Sequence, residues 1–124
     1  MPKLGATGLT RIWRAAGYSR KGFRAAWRNE SAFRQEAVLA ALLTPCAFWL
    51  GGTAAEIALL LATLAVVLIT ELVNSAIESI VDRVSPENHE LAGRAKDMGS
   101  AAVFVALGLV VVVWGLLLWQ RLGN

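Results

Sequence analysis

Apolar positions along the chain gather into three runs separated by short polar breaks. Residues 37–50 are apolar apart from Thr44 and Pro45. Residues 57–69 are apolar apart from Thr63, and the pattern continues at Leu72, Val73, Ala76, Ile77, Ile80 and Val81. Residues 101–119 carry no charged or polar side chain. A membrane-spanning helix needs about 20 mostly apolar residues. The third run is that long by itself, and the first two reach it only if their polar flanks extend the helices. The pattern therefore predicts spans over about 31–52, 56–83 and 97–121. Gly51-Gly52-Thr53 reads as a tight turn, and Ser85-Pro86-Glu87-Asn88 breaks the chain ahead of a loop over 84–96. Pro45 lies inside the first span, where a helix tolerates it with a kink.

Residues 9–28 follow another pattern. Leu9, Ile12, Trp13 and Ala16 recur at helical spacing, Phe23, Ala26 and Trp27 repeat it after Gly17, and Arg11, Arg14, Lys21, Arg24 and Arg28 are interleaved. Such a basic amphipathic helix lies in a membrane surface, although the same stripe also suits packing on another protein face. Trp27, Trp49 and Trp119 fall near predicted span ends, where aromatic belts form.

Composition agrees with this reading. Of 124 residues, 56% are hydrophobic and 17% charged, against about 25% charged in an ordinary soluble domain. A chain of this length cannot build a water-soluble shell around three such helices, and a disordered tail is excluded. The one cysteine, Cys46, forms no disulfide within the chain. No secretory signal peptide precedes the first run.

Charge adds an orientation. Eight Lys and Arg residues precede the first run, three lie in the 82–99 segment, none lies in the 51–56 turn, and Arg121 alone stands near the C-terminus. With three spans, the N-terminal segment and the second loop share a side, and the positive-inside rule makes that side cytoplasmic. The net charge of +3 thus concerns orientation and lipid contact, and no nucleic-acid motif accompanies it.

Ionisable side chains within spans are costly and mark function by default. Glu71, Asn74, Glu78 and Asp82 share one stripe of the second span, towards its cytoplasmic end, with Leu72, Val73, Ile77, Ile80 and Val81 opposite. Glu30, Gln35 and Glu36 open the first span at the same level, and Gly93-Arg94-Ala95-Lys96-Asp97-Met98-Gly99-Ser100 leads into the third. Singly, each has an ordinary explanation. Glu71 and Glu78 could pair with Arg34 or Lys96, and Asp97 and Ser100 could cap the third helix. Together they set carboxylates from two helices beside a loop lysine and arginine. Clustered carboxylates suit Mg²⁺, which uses one or two of them plus phosphate oxygens. Lys and Arg suit phosphate, and a carboxylate beside an apolar face can take a proton from a hydroxyl dissolved in the bilayer. These parts fit phosphoryl transfer to a lipid alcohol. No Walker or kinase glycine loop is present, and His89, the sole histidine, excludes a His-based metal cluster.

The segments Glu71-Leu-Val-Asn74-Ser75-Ala-Ile-Glu78, Asp82-Arg83, Glu87-Asn-His89-Glu90-Leu and Gly93-Arg-Ala-Lys96-Asp97-Met-Gly99-Ser100 closely resemble the prokaryotic diacylglycerol kinase family. So do Ala15-Ala-Gly-Tyr18-Ser19, Ala25-Ala-Trp27-Arg-Asn29-Glu30 and Ala32-Phe33-Arg34-Gln35-Glu36. The resemblance runs from about Thr10 to Trp119. It implies an all-α homotrimer in the bacterial inner membrane, each subunit having a surface helix and three transmembrane helices. It implies transfer of the ATP γ-phosphate to diacylglycerol, with Mg²⁺. In this resemblance Glu71 corresponds to the general base and Glu30 and Glu78 to the metal-holding pair. Arg11, Tyr18, Glu30, Glu78, Glu87, Asn88, His89, Lys96 and Asp97 correspond to ATP contacts. Arg11, Ala15, Ser19, Arg24, Trp27, Ala32, Gln35, Glu36, Trp49, Glu71, Ser100 and Trp114 correspond to lipid-substrate positions, and Asn74 to a supporting one.

Three other readings stay open on the residues. The acceptor could be another lipid alcohol such as undecaprenol. A small proton-coupled exporter would also use a membrane-embedded Glu in an oligomer, but nearer mid-membrane and without a phosphate-binding cluster. A non-catalytic membrane adaptor would use the amphipathic helix alone.

Overall fold

The computed structural model describes residues 7–87 and 89–123. Asn88, expected to contact ATP, lies outside the described residues, as does Lys3 of the basic N-terminal segment. Among the described residues the chain forms four α-helices: α1 (Gly8–Asn29), α2 (Ser31–Leu50), α3 (Ala54–Val84) and α4 (Glu90–Leu122).

The first two helices meet at one residue. Glu30 is extended (φ −120°, ψ 105°), and its N–H still donates to Ala26 O at 2.9 Å. The Phe23 and Phe33 rings face each other across this elbow, 6.5 Å apart. Beyond it α1 buries only Ala26. Trp13 is 81% exposed, with Leu9 and Ile12 also open, so the N-terminal part of the apolar stripe of α1 is uncovered by the described residues.

The α2–α3 turn is built from backbone hydrogen-bonding needs. Thr53 caps α3, its Oγ1 accepting from Glu56 N–H at 3.1 Å, and Glu56 Oε1 reaches back to accept from Gly52 N–H at 2.7 Å. This is a near relative of the capping box. Gly51 is required by a close approach, since a Cβ there would lie 2.6 Å from Ile57 Cγ1. Pro45 leaves α2 unbroken. It cannot donate to the Ala41 carbonyl, and the flanking side chains of Thr44 and Cys46 donate to the carbonyls of Ala40 and Leu42.

α3 and α4 form the most extensive pairing, α2 packs mainly on α3, and α1 touches α2 near the elbow. The core cluster is Ala47, Leu50 and Leu60, packed by Leu61, Val113, Trp114 and Leu117. Most other large apolar side chains face outward; Phe104 is 78% exposed. The accessible surface is 9065 Å², whereas a compact monomer of this mass exposes about 6,500 Å². That excess suits lipid or further subunits as surroundings.

α3 and α4 are each long and apolar enough to cross a membrane. A helix, α2, covers most of the expected span over 31–52, but among the described residues only α3 and α4 combine that length with that apolarity, because the first turns of α2 carry Arg34, Gln35 and Glu36. One boundary departs from the sequence reading. The connection after α3 covers 85–89 rather than 84–96, because α4 starts at Glu90. His89 is its N-cap, with Nδ1 accepting from Leu91 N–H at 3.0 Å, and Glu90 pairs with Arg94 one turn on. Asp97 and Ser100 therefore sit inside the helix and do not cap it.

Candidate functional site

The buried residues of α3 run Leu60, Leu64, Val67 and Glu71 at spacings of four, three and four, with Thr63 beside them. The seam stays on one face because those steps track the helical repeat. It changes chemistry at Glu71, since Asn74, Glu78 and Asp82 continue it. Glu71 is only 5% exposed, and among the described residues it has no ion-pair partner. Three other carboxylates lie within electrostatic range of it, those of Glu36, Glu78 and Glu30. They come from α2, α3 and the elbow. Glu71 thus feels the field of all three from within its own chain. Among the described residues, no three Asp, Glu, His or Cys side chains form a ready metal cage.

Next along the seam, Asn74 Oδ1 is buried and has no hydrogen-bond partner among the described residues. It presses on Gly99 of α4 so closely that a Cβ at Gly99 would collide with it, and Asn74 Cγ would stand 3.1 Å away. Only glycine admits this contact. The two residues line an apolar groove of about 350 Å³ with Val73, Ile77 and Met98.

On the other side of α3, Ser19 and Glu30 line a groove of about 420 Å³ between α1 and α3, together with Ser75 and Ser79. Its walls are mainly apolar side chains such as Phe23 and Leu72. Sequence reasoning gave Ser79 no part here, because the approach of α1 to α3 leaves no mark on residue spacing.

A third recess, about 410 Å³, lies under the α3–α4 connection and brings together Glu87, His89 and Lys96 of the expected ATP contacts. Asp82 joins them. Lys96 Nζ stands 2.6 Å from Asp82 Oδ1, so Lys96 pairs with Asp82 and not with Glu71 or Glu78. Arg34 pairs with neither, since its Nη1 donates to the carbonyls of Trp27 and Arg28.

The remaining expected positions are dispersed. Arg11, Ala15, Tyr18, Arg24 and Trp27 are exposed along α1, Ala32 and Gln35 are exposed on α2, and Asp97 and Ser100 on α4. Trp114 and Trp49 are not brought to the carboxylates. Trp114 Nε1–H donates to Thr63 Oγ1 at 2.9 Å, and Thr63 Oγ1–H donates in turn to Leu60 O at 2.6 Å. Thr63 precedes Glu71 by about 12 Å of helix. Trp49 lies at the far end of the bundle under Arg121, whose guanidinium carbon is 4.3 Å from the ring centroid. There Gln120 also bonds Glu56, at 3.1 Å.

Comparison with known proteins places this arrangement. A family model described as prokaryotic diacylglycerol kinase matches residues 17–118. A protein named diacylglycerol kinase from Escherichia coli (strain K12) is 55% identical over 117 residues, covering 94% of this chain and 96% of its own. The protein of that name from Pseudomonas aeruginosa is 54% identical, covering 94% and 95%. That from Helicobacter pylori (strain 26695) is 40% identical over 110 residues, covering 89% and 86%. With identity this high across nearly the whole length, the chain belongs to the prokaryotic diacylglycerol kinase family.

Proposed function

We propose that this chain transfers the γ-phosphate of ATP to the free hydroxyl of diacylglycerol, giving phosphatidic acid at the cytoplasmic face of the bacterial inner membrane. The observation that carries the reading is the buried Glu71, set where the seam of α3 turns from apolar to acidic, with Glu30, Glu36 and Glu78 around it. The names of the relatives support the substrate class.

In this reading Glu71 takes the proton of the lipid hydroxyl. The hydroxyl oxygen bonds to the γ-phosphorus, the bond from that phosphorus to the β,γ-bridging oxygen breaks, and ADP leaves with the electron pair. Glu30 and Glu78 would hold Mg²⁺, which when bound offsets the charge of the phosphates. Two carboxylates without a full protein cage suit that ion, because substrate phosphates complete its ligands. Lys96 stabilises charge developing on the transferred group. Glu87, His89 and Lys96, gathered in the α3–α4 recess, and Asp97 nearby bind nucleotide with Arg11, Tyr18 and Asn88. The lipid lies along α1 and the α1–α3 groove, with Ser19, Trp27, Gln35 and Glu36 near its headgroup. Arg24 and Ser100 lie at the interface, and Trp49 and Trp114 belong to the acyl-chain region. Asn74 supports Glu71 from the next turn. A homotrimer would bury the acidic seam between subunits and repeat the site three times, with the N-terminus cytoplasmic.

The test is transfer of labelled γ-phosphate from ATP in lipid–detergent mixed micelles with Mg²⁺, offering diacylglycerol and undecaprenol side by side. Labelled phosphatidic acid from the wild type, and none from a folded Glu71→Gln, is the expected result. Full turnover by Glu71→Gln refutes the base assignment. Labelled undecaprenyl phosphate alone would change the acceptor.

A further inference from the structure

We infer that Arg34 is a positioning residue of the site: its guanidinium locks the one-residue elbow between α1 and α2 and so holds Glu30 against α3. The inference rests on the role given to Glu30 above.

Glu30 is the sole non-helical residue between two helices. Rotation about its backbone would swing the whole of α1, 22 residues or about 33 Å of helix. Few other contacts resist that swing, because Ala26 is the one buried residue of α1 and the Phe23–Phe33 pair is the one aromatic contact across the joint among the described residues. Arg34 supplies the missing restraint. From the first turn of α2 its Nη1 donates to Trp27 O at 2.8 Å and to Arg28 O at 3.3 Å. Carbonyls in the last turn of a helix lack intrahelical donors, and a cation there also meets the negative end of the helix dipole. The bonds are charge-assisted and directional. Among the described residues Arg34 forms no ion pair with a carboxylate, although Glu30 and Glu36 are close in sequence. Its charge is directed to the backbone of α1. The side chain it fixes, Glu30, lines the α1–α3 groove with Ser75 and Ser79.

The experiment joins kinetics to a distance measurement. Spin labels at Arg14→Cys and Val84→Cys, in a Cys46→Ser background diluted with unlabelled protein, report the angle of α1 to α3. Arg34→Ala should broaden that distance distribution and raise KM for Mg-ATP by about tenfold to a hundredfold, the range expected when a residue that orients a metal ligand is lost. Arg34→Lys keeps a cation with several donors and should recover part of both effects. Arg34→Gln carries the same comparison if Arg34→Ala does not fold. Unchanged distances, or broadened distances with unchanged KM for Mg-ATP, overturn the proposal. Glu30→Gln is measured in parallel. If it keeps wild-type kinetics, the reading of Glu30 fails and the proposal with it. If it loses activity while the Arg34 variants keep theirs, only the proposal falls.

Discussion

Gly99→Ala is the sharpest perturbation the structure offers. The added Cβ would collide with Asn74 Oδ1 and stand 3.1 Å from Asn74 Cγ. Gly99 is itself buried, in the most extensive helix pair of the fold. Relief requires either that Asn74 leave its rotamer or that α3 and α4 part locally. Overpacking of this kind costs about 1–3 kcal/mol, about tenfold in the folding equilibrium for each 1.4 kcal/mol. The assay is reversible unfolding in mixed micelles of dodecyl sulfate and a mild detergent, followed by helical circular dichroism. The decisive control is the double-mutant cycle. In an Asn74→Ala background the obstructing amide is gone, and Gly99→Ala should cost under about 0.5 kcal/mol, the level expected of uncoupled sites. The cycle should therefore return a coupling of about 0.5–3 kcal/mol. A neutral Gly99→Ala in the wild type, or an equal cost in both backgrounds, would refute the argument that glycine is there to seat Asn74.

Thr63→Val and Trp114→Phe remove the two ends of a hydrogen bond inside the bundle; each should destabilise α3–α4 packing, and their cycle should give a coupling of about 0.6–1.7 kcal/mol in the same unfolding assay. Thr53→Ala deletes the cap of α3 and should cost about 0.5–2 kcal/mol while leaving phosphoryl transfer intact, because the turn stands at the end of the bundle remote from Glu71. Asp82→Asn frees Lys96 from an exposed ion pair, so stability should change by less than about 1 kcal/mol in thermal unfolding.

The helices were legible where spacing carries the signal. The 3-and-4 steps of α3 disclose both its buried seam and the acidic continuation through Glu71, Asn74, Glu78 and Asp82. The interleaved stripe of residues 9–28 gives α1 almost to its ends. The start of α4 was missed for a physical reason. Residues 90–96 carry Glu90, Arg94 and Lys96 and contain Gly93, and a reading keyed to apolar length ends a span where charges begin. A helix can leave the hydrocarbon, however, and here His89 caps it and Glu90–Arg94 braces its first turns. Contacts between helices were not legible at all. Neither the Lys96–Asp82 pair nor the Trp114–Thr63 bond follows from residue spacing, because each depends on the register of α4 against α3. The shared field of Glu30, Glu36, Glu71 and Glu78 is visible in the sequence only as shared depth, and the fold adds the elbow that sets Glu30 between α1 and α2.

The length of α3 has a consequence for how reactants meet. Its 31 residues make a rod of about 46 Å, while the hydrocarbon core of a bilayer is about 30 Å thick, or about 20 residues. Measured from Ile57, just past the Glu56 carboxylate, that thickness ends near Ala76. Glu71 and Asn74 then lie within the last oily turns, and Glu78 and Asp82 stand in the aqueous layer. One face of one helix thus acts as a partition column. Under the function proposed above, a hydroxyl borne by an acyl lipid and a phosphate dissolved in water would each reach the depth they prefer, with the carboxylates proposed for each seven residues, about 10 Å, apart.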